Sequence, residues 1–456
     1  MAEQKAEGRQ KGPAHARRGG LTKESTQRLG ELGRQLPPLS PSALRELSMD
    51  RRASFLRSFA IGAVVVLVLA LIVGAGFQWF RPLPHPAYRS SVSSPVRLAG
   101  KAPVLPWPTQ GAAAVDVEGI GPLGQSGGAQ PRPFAGLADV LAAYVALRDH
   151  PFSPTTDGPI LTVTAPVVSA YQAGQAAQEG EVTVTAGETL SERDALDGLL
   201  VASGNDMAVL LANWDAGSTD AFVAKMNSTA HTLGLVATHI ADPSGLDPGT
   251  VSTPQDLIRL GEAAMAIPVF AQIVDEGQTA PPGAPVSYNL NFALGRDGIH
   301  GIKTGSDSSA KGCYLFAASL PVGGHPVTVV GAVLGQVGGS LGPNTSAVNA
   351  GDQLVKAAFA SVSALPVFSA GQVVGQVVAP WGASTPVTAS TAVSILGWPG
   401  IAVPVTLSTD VPKAPIPSGT TVGTVTVVEG AQRTVALLRT SRPLGQPSAF
   451  WKLTRT

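Results

Sequence analysis

The feature that most constrains this chain is the run Ser58 to Phe80, 23 consecutive residues without a charge, almost wholly aliphatic between Ala60 and Ala75. As a helix it would be roughly 34 Å long, enough to cross the hydrocarbon core of a bilayer. A 57-residue leader is too long for an ordinary signal peptide, and no small-x-small cleavage site precedes Trp79, Phe80 and Arg81. The run is therefore read as a transmembrane helix, residues 58–80, which divides the chain between two compartments. Arg51, Arg52 and Arg57 precede it and Arg81 alone follows closely, so the N-terminus is expected on the cytoplasmic side and the bulk of the chain outside. Trp79 and Phe80 suit the outer interface.

Residues 1–57 hold 12 Lys and Arg against 6 Asp and Glu, a local charge of +6, among Gly, Pro, Gln and Ser. Such a segment buries too little apolar surface to offset chain entropy and reads as a disordered basic cytoplasmic tail. Over the whole chain 31 basic residues balance 31 acidic ones, and aromatic residues make up 5%. Neither a basic field nor a base-stacking surface is present, so nucleic acid is excluded as a partner. Cys313, the single cysteine, rules out an internal disulfide framework and a cysteine-based metal site; it reads as a small buried hydrophobe.

Beyond the span, residues 81–108 are dense in Pro and Ser, a composition expected to form an extended linker. Strand and helix patterns then alternate through residues 109–362. Ala113 to Val117 and Val182 to Val184 read as strands, and Leu137 to Leu147 as a buried helix. Ser191-Glu192-Arg193-Asp194 opens a helix as a capping box, stopping near Ser203-Gly204-Asn205. Further helices are expected from Asn205 through Leu211 and from Thr219 to Leu233, the latter with Gly234 as its C-terminal cap. From residue 363 to 456 short alternating runs separated by Gly and Pro predict a small β-sandwich-like domain without helices. The fold class is α+β.

Ser203-Gly204-Asn205 and, 100 positions later, Lys303-Thr304-Gly305 are ordinary turn and loop tripeptides taken singly. Their context is more specific: Asp197 to Ala202 before the first and Asp206-Met207-Ala208 after it, then Asp242-Pro243-Ser244-Gly245-Leu246-Asp247, Ser252-Thr253 and Gly301-Ile302. In this order, over about 250 residues, the series resembles the D-alanyl-D-alanine carboxypeptidases, the low-molecular-mass serine penicillin-binding proteins whose motif set includes a Ser-x-x-Lys. The resemblance implies a β-lactamase/transpeptidase-like domain, a sheet flanked by helices, followed by a small β domain. It also implies action on peptidoglycan stem peptides ending in D-Ala-D-Ala, with no cofactor and no metal. By resemblance, Ser203, Gly204, Asn205, Lys303, Thr304 and Gly305 form the substrate-binding cleft.

The first motif of that family belongs at the start of the buried helix, where a serine attacks and a lysine takes its proton. Here the stretch reads Pro133-Phe134-Ala135-Gly136-Leu137-Ala138-Asp139-Val140, with Gly136 in place of serine and Asp139 in place of lysine. No catalytic residue is intact in this reading. Of the lysines only Lys311 has a serine three residues before it, in Ser308-Ser309-Ala310-Lys311, expected to be a turn entering a strand. Replacing a cation by Asp139 lowers the charge of the cleft by two and weakens the attraction of an anionic peptide. Asp139 is expected either to pair with Lys303, Ser203 or Asn205, or to be drift in a dead site.

His231, His239 and Asp242 lack the short helical spacing of a zinc site, so no metal is expected. His300 reads as a loop residue beside the cleft, and His150 and His325, each before a proline, as turn residues. Three functions compete. One is a membrane pseudoenzyme of the cell envelope that binds peptidoglycan peptides or an envelope protein partner. The second is a working carboxypeptidase with a displaced nucleophile, and the third a structural envelope protein without a ligand.

Overall fold

The computed structural model describes residues 41–430 and 432–455. They fall into two compact units, the chain up to Pro82 together with the segment from Ser448, and the chain from Leu83 to Pro447.

In the first unit a single helix runs from Pro41 to Phe80. It starts well before Ser58, which corrects the reading of residues 41–57 as disordered tail; the tail expectation for residues 1–40 lies outside the described residues. Within the helix Phe55–Phe80 is apolar, long enough to cross a membrane, and not buried by the rest of the protein. Pro41 sits in the first turn, where its missing N–H removes no helical bond. A second, short helix, Ala449–Thr454, is capped by the Ser448 hydroxyl, which accepts from the Trp451 amide. Its end meets the end of the long helix. Arg455 donates to the main-chain carbonyls of Gln78, Arg81 and Pro82, and the Gln78 side chain donates back to the Arg455 carbonyl at 3.1 Å. The carbonyls of a final turn have no helical partner, and a guanidinium is well suited to satisfy them. The all-β expectation up to residue 456 is corrected here: six residues carry too little periodicity to be read as a helix.

The second unit is built on a five-stranded antiparallel sheet, in the order Ile299–Asp307, Lys311–Val322, His325–Gln336, Ala112–Val117 and Gly121–Ser126. Alternation along these strands sends side chains to opposite faces. Ile302, Cys313, Leu315, Ala317, Val330 and Ala332 join one core with the helices between residues 138 and 274. Tyr314, Phe316, Ala318, Val329 and Val333 join another with the helix Pro343–Ser361. With both faces covered, the central strands are apolar nearly throughout.

The helix Ala138–Asp149 lies at the centre of the first core, its residues from Ala138 to Ala143 and from Val145 to Leu147 buried. The Ser191/Asp194 capping box opens Glu192–Leu200, and the next two helices run Asn205–Ala216 and Thr219–Thr232. Gly234 takes φ +73° just past the last of these. Val182–Val184 belongs to no ladder: the Val182 amide donates to Asp206 Oδ1 at 3.1 Å instead, so the strand expected there is absent.

The C-terminal part of this unit is a six-stranded antiparallel sheet, in the order Ala87–Ser90, Val373–Val378, Ser384–Ala389, Gln432–Thr440, Thr421–Glu429 and Val405–Thr409. Ser363–Phe368 pairs with Val393–Gly397 beside it, and Val367, Phe368, Val393 and Ile395 enter the core formed by this sheet. Ala87–Ser90 and Val96–Arg97, read as linker, are strands of this region. The first occupies the sheet edge, where a flanking proline costs no ladder bond, and Leu98 is buried with the core.

Candidate functional site

The outer strand of the five-stranded sheet and the start of the central helix form the two walls of a cleft of about 430 Å³. Its lining brings together Gly136, Asp139, Ser203, Asn205, Lys303, Thr304 and Gly305 from segments far apart in sequence. Gly204 lies behind them, where an added Cβ would stand 2.8 Å from Val182 and 3.0 Å from Asp206.

The walls touch through backbone. A Cβ on Gly305 would lie 2.8 Å from the Gly136 nitrogen, so only glycine lets the strand and the helix start approach so closely. Behind the helix start, Gly245 has φ +81°, and an added Cβ there would lie 2.1 Å from the Ala135 carbonyl oxygen. The loop that places Gly245 is organised by Asp242, whose carboxylate accepts from the amides of Leu246 and Asp247 at 3.0 and 3.1 Å and from the hydroxyls of Ser244 and Thr250 at 2.8 and 2.9 Å. Asp242 is thus a positioning residue of this loop, a role invisible in the spacing of His231, His239 and Asp242. Among the described residues no group of three or more His, Cys, Asp or Glu side chains is placed to hold a metal ion.

At the floor, Lys303 and Asp139 are both about 98% buried, with Lys303 Nζ 3.4 Å from Asp139 Oδ2. The ammonium also donates to the Ser203 hydroxyl. Burial pushes the Asp139 carboxyl up to about 7, with the Lys303 ammonium opposing that rise. Burial lowers Lys303, and Asp139 opposes it. Asp139 Oδ1 has no hydrogen-bond partner among the described residues. Ser203 is held at φ +58°, a left-handed conformation uncommon for a residue with a side chain. Asn205 fixes the neighbouring loop: its backbone and side-chain amides donate to the Gly180 carbonyl at 2.9 and 3.1 Å. Gln178, Glu179 and Gly180 thereby line the rim, a contribution with no signal in the sequence.

Gly136 lies in a short 3-10 turn, Ala135–Leu137, that leads into the helix. An added Cβ would meet Asp139 Oδ2 at 3.4 Å and the Thr304 carbonyl oxygen at 3.9 Å, ordinary contact distances. The position thus has room for a side chain and presents none. Ser308 is on the rim, in the turn before the strand Lys311–Val322, and the Lys311 ammonium donates to the Ser308 carbonyl rather than to its hydroxyl. His300 is corrected from loop to strand. It faces Ser319, with Nε2 to Oγ 2.9 Å, and lines a separate hollow with Glu118, Glu262 and Asp275. His150 is more than a turn residue, since its Nε2 lies 3.0 Å from Asp215 Oδ1.

The sequence profile of the family described as D-alanyl-D-alanine carboxypeptidase matches residues 123–335. The D-alanyl-D-alanine carboxypeptidase DacB2 of Mycobacterium tuberculosis is 37% identical over 231 residues, which cover 49% of this chain and 75% of the relative. A D-alanyl-D-alanine carboxypeptidase of a Streptomyces species is 35% identical over 165 residues, 32% of this chain and 55% of that one. Among solved structures, penicillin binding protein 5 from Haemophilus influenzae superimposes with a TM-score of 0.51 at 20% identity, covering 78% of this chain and all of its own.

Proposed function

Because this chain belongs to the D-alanyl-D-alanine carboxypeptidase family, we propose that it is a membrane-anchored cell-envelope member in which acyl transfer has been lost and a peptide-binding cleft kept. One arrangement carries this reading. Where the family pattern calls for serine and, one turn later, lysine, the cleft holds Gly136 and Asp139, and Asp139 is turned onto Lys303 at 3.4 Å. Glycine supplies no atom to attack a carbonyl, and a carboxylate already paired with a buried ammonium is no base for a neighbouring hydroxyl. Loss of a nucleophile in related acyl-transfer chemistry costs on the order of 10⁶ in turnover.

The strand beside the gap supports a binding role. Lys303–Gly305 lies on a sheet strand paired on one side only, which leaves its other edge for an extended peptide. The occupant in this reading is a peptidoglycan stem peptide or a segment of an envelope partner. The apolar helix Phe55–Phe80 is the anchor, with Arg51 and Arg52 before it and Arg57 in its first turn on the cytoplasmic side and the folded domains outside.

Intact mass of the full-length chain in detergent, with and without excess penicillin, tests this. No adduct is expected on the unaltered protein, and one is expected on the Gly136→Ser, Asp139→Lys double variant. An acyl adduct on the unaltered protein overturns the reading and points to a displaced nucleophile, to be mapped starting at Ser308.

A further inference from the structure

We propose that this cleft takes an extended peptide presenting a primary ammonium group, seated in the notch over Gly136 against Asp139, in preference to a peptide ending in a carboxylate. The inference rests on the reading above that the cleft binds a peptide.

Three observations lead to it. First, the charged residues of the lining are Asp139, Glu179 and Asp307 against Lys303 alone, a formal balance of −2. Lys303 is already engaged, its ammonium standing 3.4 Å from Asp139 Oδ2 and donating to the Ser203 hydroxyl, which weakens its pull on a ligand anion. Second, Asp139 Oδ1 is a buried acceptor with no partner, in a residue that lines the cleft and is 1% exposed. Buried acceptors are rarely left so, and a donor seated in the notch against the other oxygen of the same carboxylate, Oδ2, offsets part of that desolvation. Third, the volume that a side chain on residue 136 would fill is open, and its nearest neighbours are two oxygens and a backbone carbon: Asp139 Oδ2 at 3.4 Å, Thr304 O at 3.9 Å and the Gly305 Cα at 3.9 Å.

A notch bordered by a carboxylate and a carbonyl suits a group that only donates. An ammonium has three N–H groups and no acceptor, and its bonds to a carboxylate are short and strong. A terminal carboxylate in the same place would face Asp139, and Lys303, the one cation among the described lining residues, is already paired with that carboxylate.

Two dipeptide probes of opposite charge test the preference on the full-length protein in detergent micelles, by titration calorimetry. D-alanyl-D-alanine amide carries an ammonium and no carboxylate, and N-acetyl-D-alanyl-D-alanine carries a carboxylate and no ammonium. The ammonium probe is expected to bind about tenfold or more tightly. Asp139→Asn should weaken it by about tenfold, and Gly136→Ser, which fills the notch, should weaken it comparably. Equal affinities, the reverse order, or no binding of either probe to the unaltered protein overturns the inference without need of any variant. A penicillin adduct on that same protein would overturn the pseudoenzyme reading whatever the order of the probes, so the two failures are distinguishable.

Discussion

Lys303 and Asp139, 164 residues apart in the chain, form a buried ion pair with Nζ 3.4 Å from Oδ2, each side chain 2% exposed. The pair ties the outer strand of the sheet to the first turn of the central helix at the floor of the cleft. Breaking such a pair by removing one member leaves the other charge buried and alone, which costs about 3–5 kcal/mol, whereas replacing both by apolar groups is often neutral. Lys303→Met alone is therefore expected to destabilise the protein by about 3 kcal/mol or more, and Lys303→Met with Asp139→Leu by much less. Denaturant melts of the three proteins decide this; equal losses in the single and double variants would mean that the two charges do not interact.

Gly305 and Gly136 face each other across the same floor but differ in tolerance. A methyl on Gly305 must push against the Gly136 nitrogen at 2.8 Å, while one on Gly136 meets nothing closer than 3.4 Å. Gly305→Ala is expected to cost about 1–3 kcal/mol, as overpacking does, and Gly136→Ala less than about 1 kcal/mol in either direction. Thermal melts that rank the two variants the other way round would contradict the backbone contact described here.

Glu192 lies fully buried, with neither carboxylate oxygen hydrogen-bonded among the described residues. Burial first and Asp215 second push its carboxyl up to about 8 from an ordinary value of 4.5. The sign follows. Below the unfolded value both states are protonated and stability is full; as pH rises towards the folded value, the unfolded chain sheds its proton first and stability falls. Between pH 5 and 8 Glu192 should thus withdraw stability on the order of a few kcal/mol, and Glu192→Gln should remove that part of the slope, leaving the part that Asp139 and the other raised carboxyls contribute. A melting temperature whose pH dependence is the same in both proteins would refute the assignment.

Arg455 closes the end of the long apolar helix by donating to the carbonyls of Gln78, Arg81 and Pro82. Arg455→Ala should leave the apolar helix intact and free the segment from Ser448 onward, at a local cost of about 1–3 kcal/mol. Hydrogen exchange of the amides in Ala449–Thr454 should then be markedly faster. Unchanged protection would show that Lys452, whose ammonium stands 5.0 Å over the Trp79 ring, or other contacts hold the helix without it.

Local chemistry made much of this fold legible in sequence. The apolar helix needed only an uninterrupted run of uncharged residues, and the capping box at Ser191 and Asp194, the glycine stop at Gly234 and the strand at Ala112–Val117 each rest on neighbours a few residues apart. The strands near Ala87 and Val96 were hidden for the opposite reason: their partners lie about 300 residues away, and proline-rich composition describes an edge strand no differently from a linker. The cleft shows the same division. Sequence alone supplied the residue types, including the glycine at 136 and the aspartate at 139, because those are properties of single positions within an ordered series of motifs. Only the tertiary structure decided that Asp139 meets Lys303 rather than Asn205, that Asn205 serves the Gly180 loop, and that His300 faces a different hollow. Direction and distance between side chains from separate elements depend on how sheet and helix pack, and no spacing along the chain encodes that packing.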